Sequence, residues 1–363
     1  MVVGCGALGN EVLKNLALMG AEHIVVVDFD KVEMSNLNRS ILFSRQDAEQ
    51  QRRKVDVVAQ RLTSINPCLE VIPLAADITN EVGLGWVRRM DVVLGCLDNR
   101  WARYCINRLC MRAGVPWIDG GISLLEGTAR VFRPGKNCYA CNLGPEGLND
   151  LRRRIPCSGM IRQQESEGHA PTTPLIASII GAIEVQEALK IIHEKEVDKG
   201  NFTSLCGSMF YYEGQYLSSR FLNFKAYDDD CDVHESWMPI ISIDLSIQDT
   251  VRKVLQTLKI KFDTSLVAFT MPDECFVDFI TEKNTEQNVM VMKPGRDVAE
   301  WIEKDKEWHG TDYSNFYQHE FRTIDDTFPY QELTLIQIGI PDWSVLPVIA
   351  NGKEYYVEIK KLE

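Results

Sequence analysis

Apolar and amphipathic segments alternate along the first part of the chain. It opens on MVVGCGALGNEVLKNLALMGAEHIVVVDFD, in which a short apolar run precedes a loop containing Gly4, Gly6 and Gly9. Apolar side chains then recur every three or four residues, which predicts a helix that ends near Gly20. The continuous apolar run HIVVVD predicts a second, buried strand. The pattern therefore indicates a strand, a glycine loop, a helix and another strand.

The same alternation continues to about residue 120. The predicted elements are a helix around Val55–Ile65, a strand in EVIPLAA, a short helix near Trp86, a strand in DVVLGCLD, a helix around Trp101–Ala113 and a strand in PWID. Strands and helices in alternation predict an α/β fold, with a Rossmann-like, mostly parallel sheet covered by helices on both faces. Functional residues are expected at the carboxyl ends of the strands of such a sheet.

The pattern changes further along the chain. Residues Leu143–Pro174 are polar and contain glycines, prolines and charges, which predicts a long, mobile crossing loop. The segment LIASIIGAIEVQEALKII predicts a buried helix, and SMFYYEGQYLSSRFLNF predicts two strands joined at Glu213–Gly214. A helical pattern in QDTVRKVLQTLKI, short alternating strands and a hairpin signal at Asn351–Gly352 follow. We therefore expect two domains, 1–237 and a small α+β domain at 238–363.

Composition narrows the class of protein. The chain has 363 residues, of which 45% are hydrophobic and 25% charged, as in ordinary globular proteins. Its formal net charge of −13 argues against a nucleic-acid partner. No apolar run approaches the roughly 20 residues that span a bilayer, and no leader pattern is present. We expect a cytoplasmic protein without a membrane partner, whose 11 cysteines are reduced.

The glycine loop has the features of a nucleotide site. Its sequence GCGALG lies between a strand and a helix, where a phosphate can approach the backbone and the helix N-terminus. Asp28 follows Gly9 by 19 residues and ends the next strand, a spacing that suits an acid that hydrogen-bonds a ribose. Taken alone, these features are also typical of an NAD-binding oxidoreductase.

Charged and polar residues near the other strand ends favour a triphosphate. DFDKVEMSNLNRS contains Asn36 and Arg39, QQRRKVDVVAQRL contains Lys54, and DVVLGCLDNRWAR contains Asp98. Arginine and lysine neutralise several phosphates at once, and an aspartate at a strand end can hold magnesium. Hydride transfer has no need of such a set, whereas activation by a nucleoside triphosphate does.

With these residues in place, the sequence resembles the ubiquitin-activating enzyme superfamily, which includes the ThiF and MoeB adenylyltransferases. The resemblance covers residues 1 to about 236. It rests on VVGCGALGNEVLKNLALMG, VVDFDKVEMSNLNRS, the lysine before VDVVAQRL, VVLGCLDNRWARYCINRLC, PWIDGG, CYAC and the helix that ends EVQEALKII. As a set, these motifs are far more specific than a lone glycine motif.

The resemblance implies an activity and roles for the residues. It implies that ATP activates the C-terminal glycine carboxylate of a ubiquitin-like protein, with release of pyrophosphate. Asp28 would hold the ribose, and Asp98 would organise Mg²⁺. The phosphates would be held by Asn36, Arg39 and Lys54, near the loop of Gly4, Gly6 and Gly9. Of these, Arg39, Lys54 and Asp98 would be catalytic.

Two pairs of residues have the spacing of zinc ligands. Cys138 and Cys141 form a C-x-x-C pair, and Cys231 and His234 in DDDCDVHE are again three positions apart. Relatives close a zinc site with a second C-x-x-C at the end of this domain, so His234 would replace the fourth cysteine. A disulfide between Cys138 and Cys141 is the alternative, which the expected compartment disfavours.

Cys157 is a candidate nucleophile. It follows Arg152, Arg153 and Arg154 in RRRIPCSGM, and positive charge favours the thiolate, the reactive form of cysteine. The segment resembles the place where thioester-forming relatives carry their catalytic cysteine. The alternative is an incidental loop thiol, and His169 in the same segment is expected to be a solvated histidine.

Four functions remain to be compared. The leading hypothesis is an activating enzyme that makes an adenylate and then a Cys157 thioester, which passes to a conjugating enzyme recruited by residues 238–363. The second is a sulfur-carrier adenylyltransferase without the thioester. A non-catalytic subunit of a heterodimer need not retain Arg39, Lys54 and Asp98, and an NAD-binding oxidoreductase does not explain them. A homodimer or heterodimer is expected.

Overall fold

The computed structural model describes residues 1–153, 172–194, 204–225, 227–305 and 315–360. They form two compact units. The first is drawn from Met1–Thr79, Val87–Leu148 and Ser166–Ser236, and the second from Asn80–Trp86, Asn149–Glu165 and Trp237–Glu363. Among the described residues, no helix is both long enough and apolar enough to span a membrane.

The first unit contains an eight-stranded sheet in the order β3-β2-β1-β4-β5-β6-β7-β8. The first five strands in that order are parallel neighbours, and the last three are antiparallel additions. The strands are β1 (Val2–Val3), β2 (His23–Val27), β3 (Glu70–Leu74), β4 (Val93–Gly95), β5 (Trp117–Ser123), β6 (Glu126–Phe132), β7 (Ser208–Glu213) and β8 (Ser218–Asn223). The predicted mostly parallel α/β sheet is confirmed.

Helices connect these strands. They are α1 (Ala7–Leu18), α2 (Arg45–Glu49), α3 (Lys54–Ile65), α4 (Leu84–Val87), α5 (Arg100–Ala113), α6 (Tyr139–Arg153) and α7 (Pro174–Ile192). Successive side chains of a strand point to opposite faces of its sheet. Val2 and Val3 are both buried, so both faces of β1 are covered.

Helix α7 is the buried helix that its sequence predicts. Thr173 Oγ1 accepts a hydrogen bond from the Ile176 amide, and Pro174 occupies the first turn, where its missing N–H is harmless. Ile176 and Ile180 are buried in the core of the first unit. Burial of a side chain of this size stabilises a fold by about 1.5–3 kcal/mol. The helix is therefore fixed against the sheet.

The predicted crossing loop 143–174 is wrong in its first part. Helix α6 continues to Arg153, with a bend at Gly144, where φ is 69° and ψ is 174°. Leu148 is partly buried and Leu151 is buried. Their three-residue spacing gives an apolar stripe within a polar segment, which supports a helix there. Residues 154–171 lie outside the described residues.

The second unit is an α+β structure. It has a five-stranded sheet in the order β14-β10-β15-β16-β9 and a three-stranded sheet in the order β12-β11-β13. Asn351 and Gly352, both with positive φ, form the predicted two-residue hairpin turn. The elements are β9 (Ile240–Ser246), α8 (Val251–Phe262), β10 (Val267–Thr270), β11 (Phe276–Glu282), β12 (Asn288–Pro294), α9 (Gly295–Lys304), β13 (Phe316–Phe321), β14 (Thr323–Ile324), β15 (Val345–Ala350) and β16 (Lys353–Lys360).

A segment from early in the sequence completes this unit. The Gly85 amide donates to the Trp343 carbonyl oxygen at 2.7 Å, and the Trp86 ring meets the Trp343 ring edge-on at 6.3 Å between centroids. Arg296 Nη1 donates to the carbonyl oxygen of Asn80 at 3.2 Å. Residues 80–86 therefore belong to the core of the second unit, although β3 and β4 on either side of them belong to the first.

Candidate functional site

The glycine loop connects β1 to α1 in a tight turn. Gly4 has φ +95°, and a Cβ there would lie 2.5 Å from the Cys96 carbonyl oxygen. A Cβ on Gly9 would overlap the carbonyl oxygen of Gly4. Gly6 differs, because its φ is −70° and nothing lies within 4 Å of the position of a Cβ. Gly4 and Gly9 are therefore required by the packing of the loop, whereas Gly6 leaves open space beside the N-terminus of α1.

Asp28 joins the end of β2 to this loop. Its Oδ2 accepts a hydrogen bond from the Cys5 amide at 2.6 Å, and its Oδ1 accepts one from the Asp30 amide at 2.8 Å. Burial raises the pKa of Asp28, against the attraction of the Lys54 ammonium. Each carboxylate oxygen retains lone pairs. The group can thus accept hydrogen bonds from the hydroxyls of a ribose.

Lys54 brings a nearly buried positive charge to the same place. It is the first residue of α3, and its Nζ lies 2.7 Å from Asp30 Oδ2. Burial by itself lowers the pKa of Lys54, but the nearby charges of Asp28 and Asp30 outweigh burial and raise it. The ammonium is therefore charged at neutral pH, beside the glycine loop.

Asn36 and Arg39 lie in the loop after β2 and hold its shape. Asn36 Oδ1 accepts from the Glu33 amide at 2.9 Å, closing a short 3-10 turn. Arg39 Nη1 donates to the Ser35 carbonyl oxygen at 2.7 Å. No hydrogen bond or ion pair between described residues joins these side chains to Asp28 or Lys54. Asp28 and Lys54 therefore interact electrostatically, whereas Asn36 and Arg39 form hydrogen bonds within their own loop.

Asp98 lies in the turn between β4 and α5, and its side chain is exposed. Asn99 Oδ1 caps α5 by accepting from the Ala102 amide at 2.7 Å. Because β4 pairs with β1, this turn meets the glycine loop at Gly4 and Cys96. The loops after β2, β1 and β4 thus lie side by side at the carboxyl ends of adjacent parallel strands.

A buried cluster of charged residues lies behind the loops at the carboxyl ends of the strands. The sequence motifs did not predict it. Asp119 on β5 is fully buried and pairs with two arginines, Arg103 of α5 and Arg130 of β6. The sequence feature that indicates the cluster is Asp119, a charged residue in the otherwise apolar strand PWIDGG, because a buried carboxylate requires a partner. The partners lie 16 and 11 residues away on other elements, where spacing gives no indication of them.

Cys138, Cys141, Cys231 and His234 converge as one group. Their ligand atoms all lie within 4.8 Å of one another. Cys138 Sγ lies 3.6 Å from Cys141 Sγ and 3.8 Å from Cys231 Sγ, and Cys141 Sγ lies 3.3 Å from His234 Nε2. Zinc–sulfur bonds of about 2.3 Å in a tetrahedron place ligand atoms at such separations. The group thus fits a metal that prefers thiolate and imidazole ligands.

The protonation properties of Cys138 and His234 favour metal binding, whereas Cys231 holds its proton more tightly. The hydrogen bond with Cys231 lowers the pKa of the Cys138 thiol, and the same bond raises that of Cys231. Burial lowers the pKa of His234, which favours the neutral imidazole that metals require. The Tyr227 ring stacks on His234 at 4.3 Å. The second ligand pair is thereby held in place.

Asparagines brace the first ligand pair. Asn107 Oδ1 accepts from the Tyr139 amide at 3.0 Å, and Asn137 Nδ2 donates to the Lys225 carbonyl oxygen at 2.7 Å. Asn142 Nδ2 donates to the Cys138 carbonyl oxygen at 2.8 Å. These contacts join the start of α6 to α5 and to the chain that follows β8. Cys157 and His169 lie outside the described residues.

Solved structures share this fold. Crystal structures of E. coli MccB superpose with a TM-score of 0.51 for the form with ATP, at 20% identity over 64% of this chain and 65% of that chain. The form with succinimide gives the same TM-score at 22% identity. At these identities the likeness concerns the fold.

Sequence relatives are activating enzymes and adenylyltransferases by name. The SAMP-activating enzyme E1 of Haloferax volcanii is 30% identical over 233 residues, 64% of this chain and 78% of the relative. The adenylyltransferase and sulfurtransferase MOCS3 of Sus scrofa is 38% identical over 232 residues, 64% of this chain and 47% of the relative. SUMO-activating enzyme subunit 2 of Dictyostelium discoideum is 35% identical over 143 residues, 39% of this chain.

The chain spans 21% of the length of the SUMO-activating subunit and 47% of that of MOCS3. The sequence profile of the ThiF family matches residues 1–233, which is more than half of the chain and includes every element of the sheet edge described above. This chain therefore belongs to the ThiF family.

Proposed function

We propose that the protein activates the C-terminal carboxylate of a ubiquitin-like or sulfur-carrier protein by ATP-dependent adenylation. The observation that carries the proposal is the meeting of the glycine loop, Asp28 and Lys54 at the ends of β1 and β2, with Asp98 after the adjacent β4. Ribose, polyphosphate and a cation can each find a partner there.

The proposed reaction needs positioning and charge more than it needs a base. The carboxylate of the carrier is ionised at neutral pH, so its oxygen attacks the α-phosphorus of ATP directly. The bond from that phosphorus to the bridging oxygen breaks, and pyrophosphate leaves. Negative charge develops on the phosphates, and fixed cations stabilise it in a preorganised site.

Each predicted residue has a role in this proposal. Asp28 accepts from the ribose hydroxyls, and Lys54 neutralises phosphate charge. Asn36 and Arg39, in the loop after β2, bind the phosphates. Asp98 would hold Mg²⁺, which would supply positive charge to neutralise the polyphosphate.

We also propose that Cys138, Cys141, Cys231 and His234 hold a structural zinc. All four positions of a tetrahedral ion would be filled by protein ligands, and such closed sites stabilise folds rather than activate water. The ion would join the start of α6 to the chain near residue 231.

The next step distinguishes two enzyme classes. In the first, the Cys157 thiolate attacks the carbonyl of the adenylate, AMP leaves, and the thioester passes to a conjugating enzyme recruited by a domain at 238–363. In the second, a sulfur-carrier adenylyltransferase stops at the adenylate. Relatives named MOCS3 and ThiS adenylyltransferase favour the second class, and the SUMO- and SAMP-activating relatives favour the first. A dimer and a cytoplasmic location remain part of the proposal.

Intact-mass spectrometry tests both steps. The protein is incubated with Mg²⁺, ATP and, one at a time, the ubiquitin-like and sulfur-carrier proteins of its source genome that end in glycine. Wild type should add AMP to one carrier, and Asp98→Ala and Lys54→Met should abolish the adduct while retaining their fold. Unchanged adduct formation in either variant would refute the site.

The second step is tested with Cys157→Ala. A reductant-sensitive adduct that this variant loses, while the adenylate still forms, supports the thioester. An adduct that persists places the thiol elsewhere, and a wild type that forms only the adenylate supports the sulfur-carrier class. Cys68→Ser, at an exposed cysteine outside both sites, is the matched control.

A further inference from the structure

We propose that Arg103 is a positioning residue that holds the turn of Asp98 in the geometry needed for a nucleotide-bound divalent cation. The inference rests on the proposed adenylation function. Arg103 is assigned no contact with the substrate. It acts through the backbone of Leu97, the residue immediately before Asp98.

The Arg103 guanidinium spans three acceptors. Its Nη2 donates to the carbonyl oxygen of Leu97 at 2.5 Å and to that of Gly120 at 3.1 Å, and its Nε donates to Asp119 Oδ1 at 2.8 Å. Only 14% of the side chain is exposed. One rigid, planar group therefore joins the turn after β4 to strand β5.

Asp119 keeps that guanidinium in one orientation. The carboxylate is fully buried, and its second oxygen is taken by Arg130. The Arg130 guanidinium in turn lies over the Tyr139 ring, 5.3 Å from its centroid. Because Arg130 occupies the other oxygen of Asp119, Arg103 cannot rotate without losing its hydrogen bond to Oδ1 and exchanging a buried ionic partner for none.

The turn is fixed on both sides of Asp98. The Cys96 amide donates to the Val3 carbonyl oxygen at 2.8 Å, Leu97 is held by Arg103, and Asn99 caps α5. Asp98 is thus an exposed carboxylate on an anchored backbone. A cation site needs its ligands held to within about 0.5 Å, and residues behind the ligands commonly provide this. The hydrogen bond from Arg103 to the Leu97 carbonyl oxygen provides that support.

Arg103→Lys isolates this role. Lysine retains the charge that pairs with Asp119, but one ammonium group cannot reproduce the fork that also spans the carbonyl oxygens of Leu97 and Gly120. Arg103→Gln, which leaves Arg130 to pair with Asp119, is the second variant in case the first does not fold. Arg108→Lys on the same helix is the matched control, since its guanidinium lies over the Tyr104 ring, 5.7 Å from the centroid.

The probe is Mn²⁺ with ATP, followed by electron paramagnetic resonance of free Mn²⁺. Loss of support behind a metal ligand typically weakens metal affinity by about 10–100-fold, and we expect this for Arg103→Lys. The affinity for ATP in EDTA, measured by calorimetry, should change less than about twofold in Arg103→Lys. In Arg108→Lys, the affinities for Mn²⁺ and for ATP should both change less than about twofold. Thermal unfolding by circular dichroism checks the fold.

A double-mutant cycle separates positioning from general structural damage. If Arg103 acts through Asp98, Arg103→Lys should have less than about a twofold effect on Mn²⁺·ATP binding in an Asp98→Asn background. Equal effects in both backgrounds, or wild-type binding by a folded Arg103→Lys, would overturn the inference. Wild-type binding by Asp98→Asn, or no uptake by the wild type, would instead overturn the proposed function.

Discussion

A Cβ atom on Gly9 would overlap the carbonyl oxygen of Gly4, so the first turn of α1 packs directly on the strand end that precedes it. Gly6 lies between these two residues, yet nothing lies within 4 Å of the place where its Cβ would be. The absence of a side chain therefore serves different purposes at the glycines of this motif. Two are required by the fold, and the third leaves room for something that binds.

This difference predicts opposite outcomes for two alanine variants. Gly9→Ala should lower the free energy of unfolding by about 1–3 kcal/mol, as overpacking does. Gly6→Ala should change it by less than about 1 kcal/mol, but should weaken ATP binding at least about tenfold, since the new methyl group occupies the open space. Urea denaturation and calorimetry measure the two effects. Normal ATP binding by Gly6→Ala would show that phosphate does not approach the loop there.

Metal removal should loosen the first unit. The ligand pairs Cys138–Cys141 and Cys231–His234 are separated by about 90 residues of sequence, so the ion would close a long loop. We expect about one zinc per chain by elemental analysis. Cys231→Ser should lose the ion and lower the free energy of unfolding by about 2–5 kcal/mol, the range for loss of a comparable cross-link.

Cys68→Ser is the control, because Cys68 is exposed and remote in sequence from the ligands. It should keep both the zinc and the stability. Full zinc occupancy in a Cys231→Ser, His234→Ala double variant would show that the ion binds elsewhere.

Glu184 should make stability fall as pH rises. Burial, and next the charge of Asp119, raise the pKa of Glu184 well above its usual value of 4.5. Because the pKa of Glu184 is higher in the folded than in the unfolded state, its contribution to the free energy of unfolding is fully present below pH 4.5. That contribution is lost as the pH rises towards the folded-state pKa. The loss is about 1.4 kcal/mol per pH unit over that window.

Glu184→Gln removes the titration, so its free energy of unfolding should depend less on pH between 5 and 8 than that of the wild type. Urea denaturation at several pH values measures this, and Glu49→Gln, at an exposed helix position, should retain the wild-type slope. Parallel pH profiles for wild type and Glu184→Gln would contradict the prediction.

Gly83→Ala should destabilise the second unit. A Cβ there would overlap the backbone of Asp342 and Trp343, which cannot move aside as the end of a flexible side chain can. We expect a loss of about 1–3 kcal/mol. In hydrogen exchange followed by mass spectrometry, peptides from 237–305 and 315–360 should exchange faster. Unchanged exchange in β15 and β16 would indicate that residues 80–86 do not support this unit.

The sequence by itself determined most of the strands and helices and supplied the candidate site residues as predictions. Strand, loop and helix around Gly4–Gly9 follow from local periodicity, and the Asn351–Gly352 hairpin follows from the positive φ that both residues adopt. The two ligand pairs of the metal group were visible as short spacings. Such features depend on neighbours within a few residues, which a linear pattern records.

Tertiary structure alone decided which distant residues meet. Asp119 finds Arg103 and Arg130 on separate elements, and residues 80–86 pack with Trp343, more than 250 residues later. Helix α6 was hidden because its apolar stripe is too short to stand out against polar neighbours. These contacts are selected by burial and by the need to pair a buried charge. Both depend on the folded environment, which local spacing does not specify.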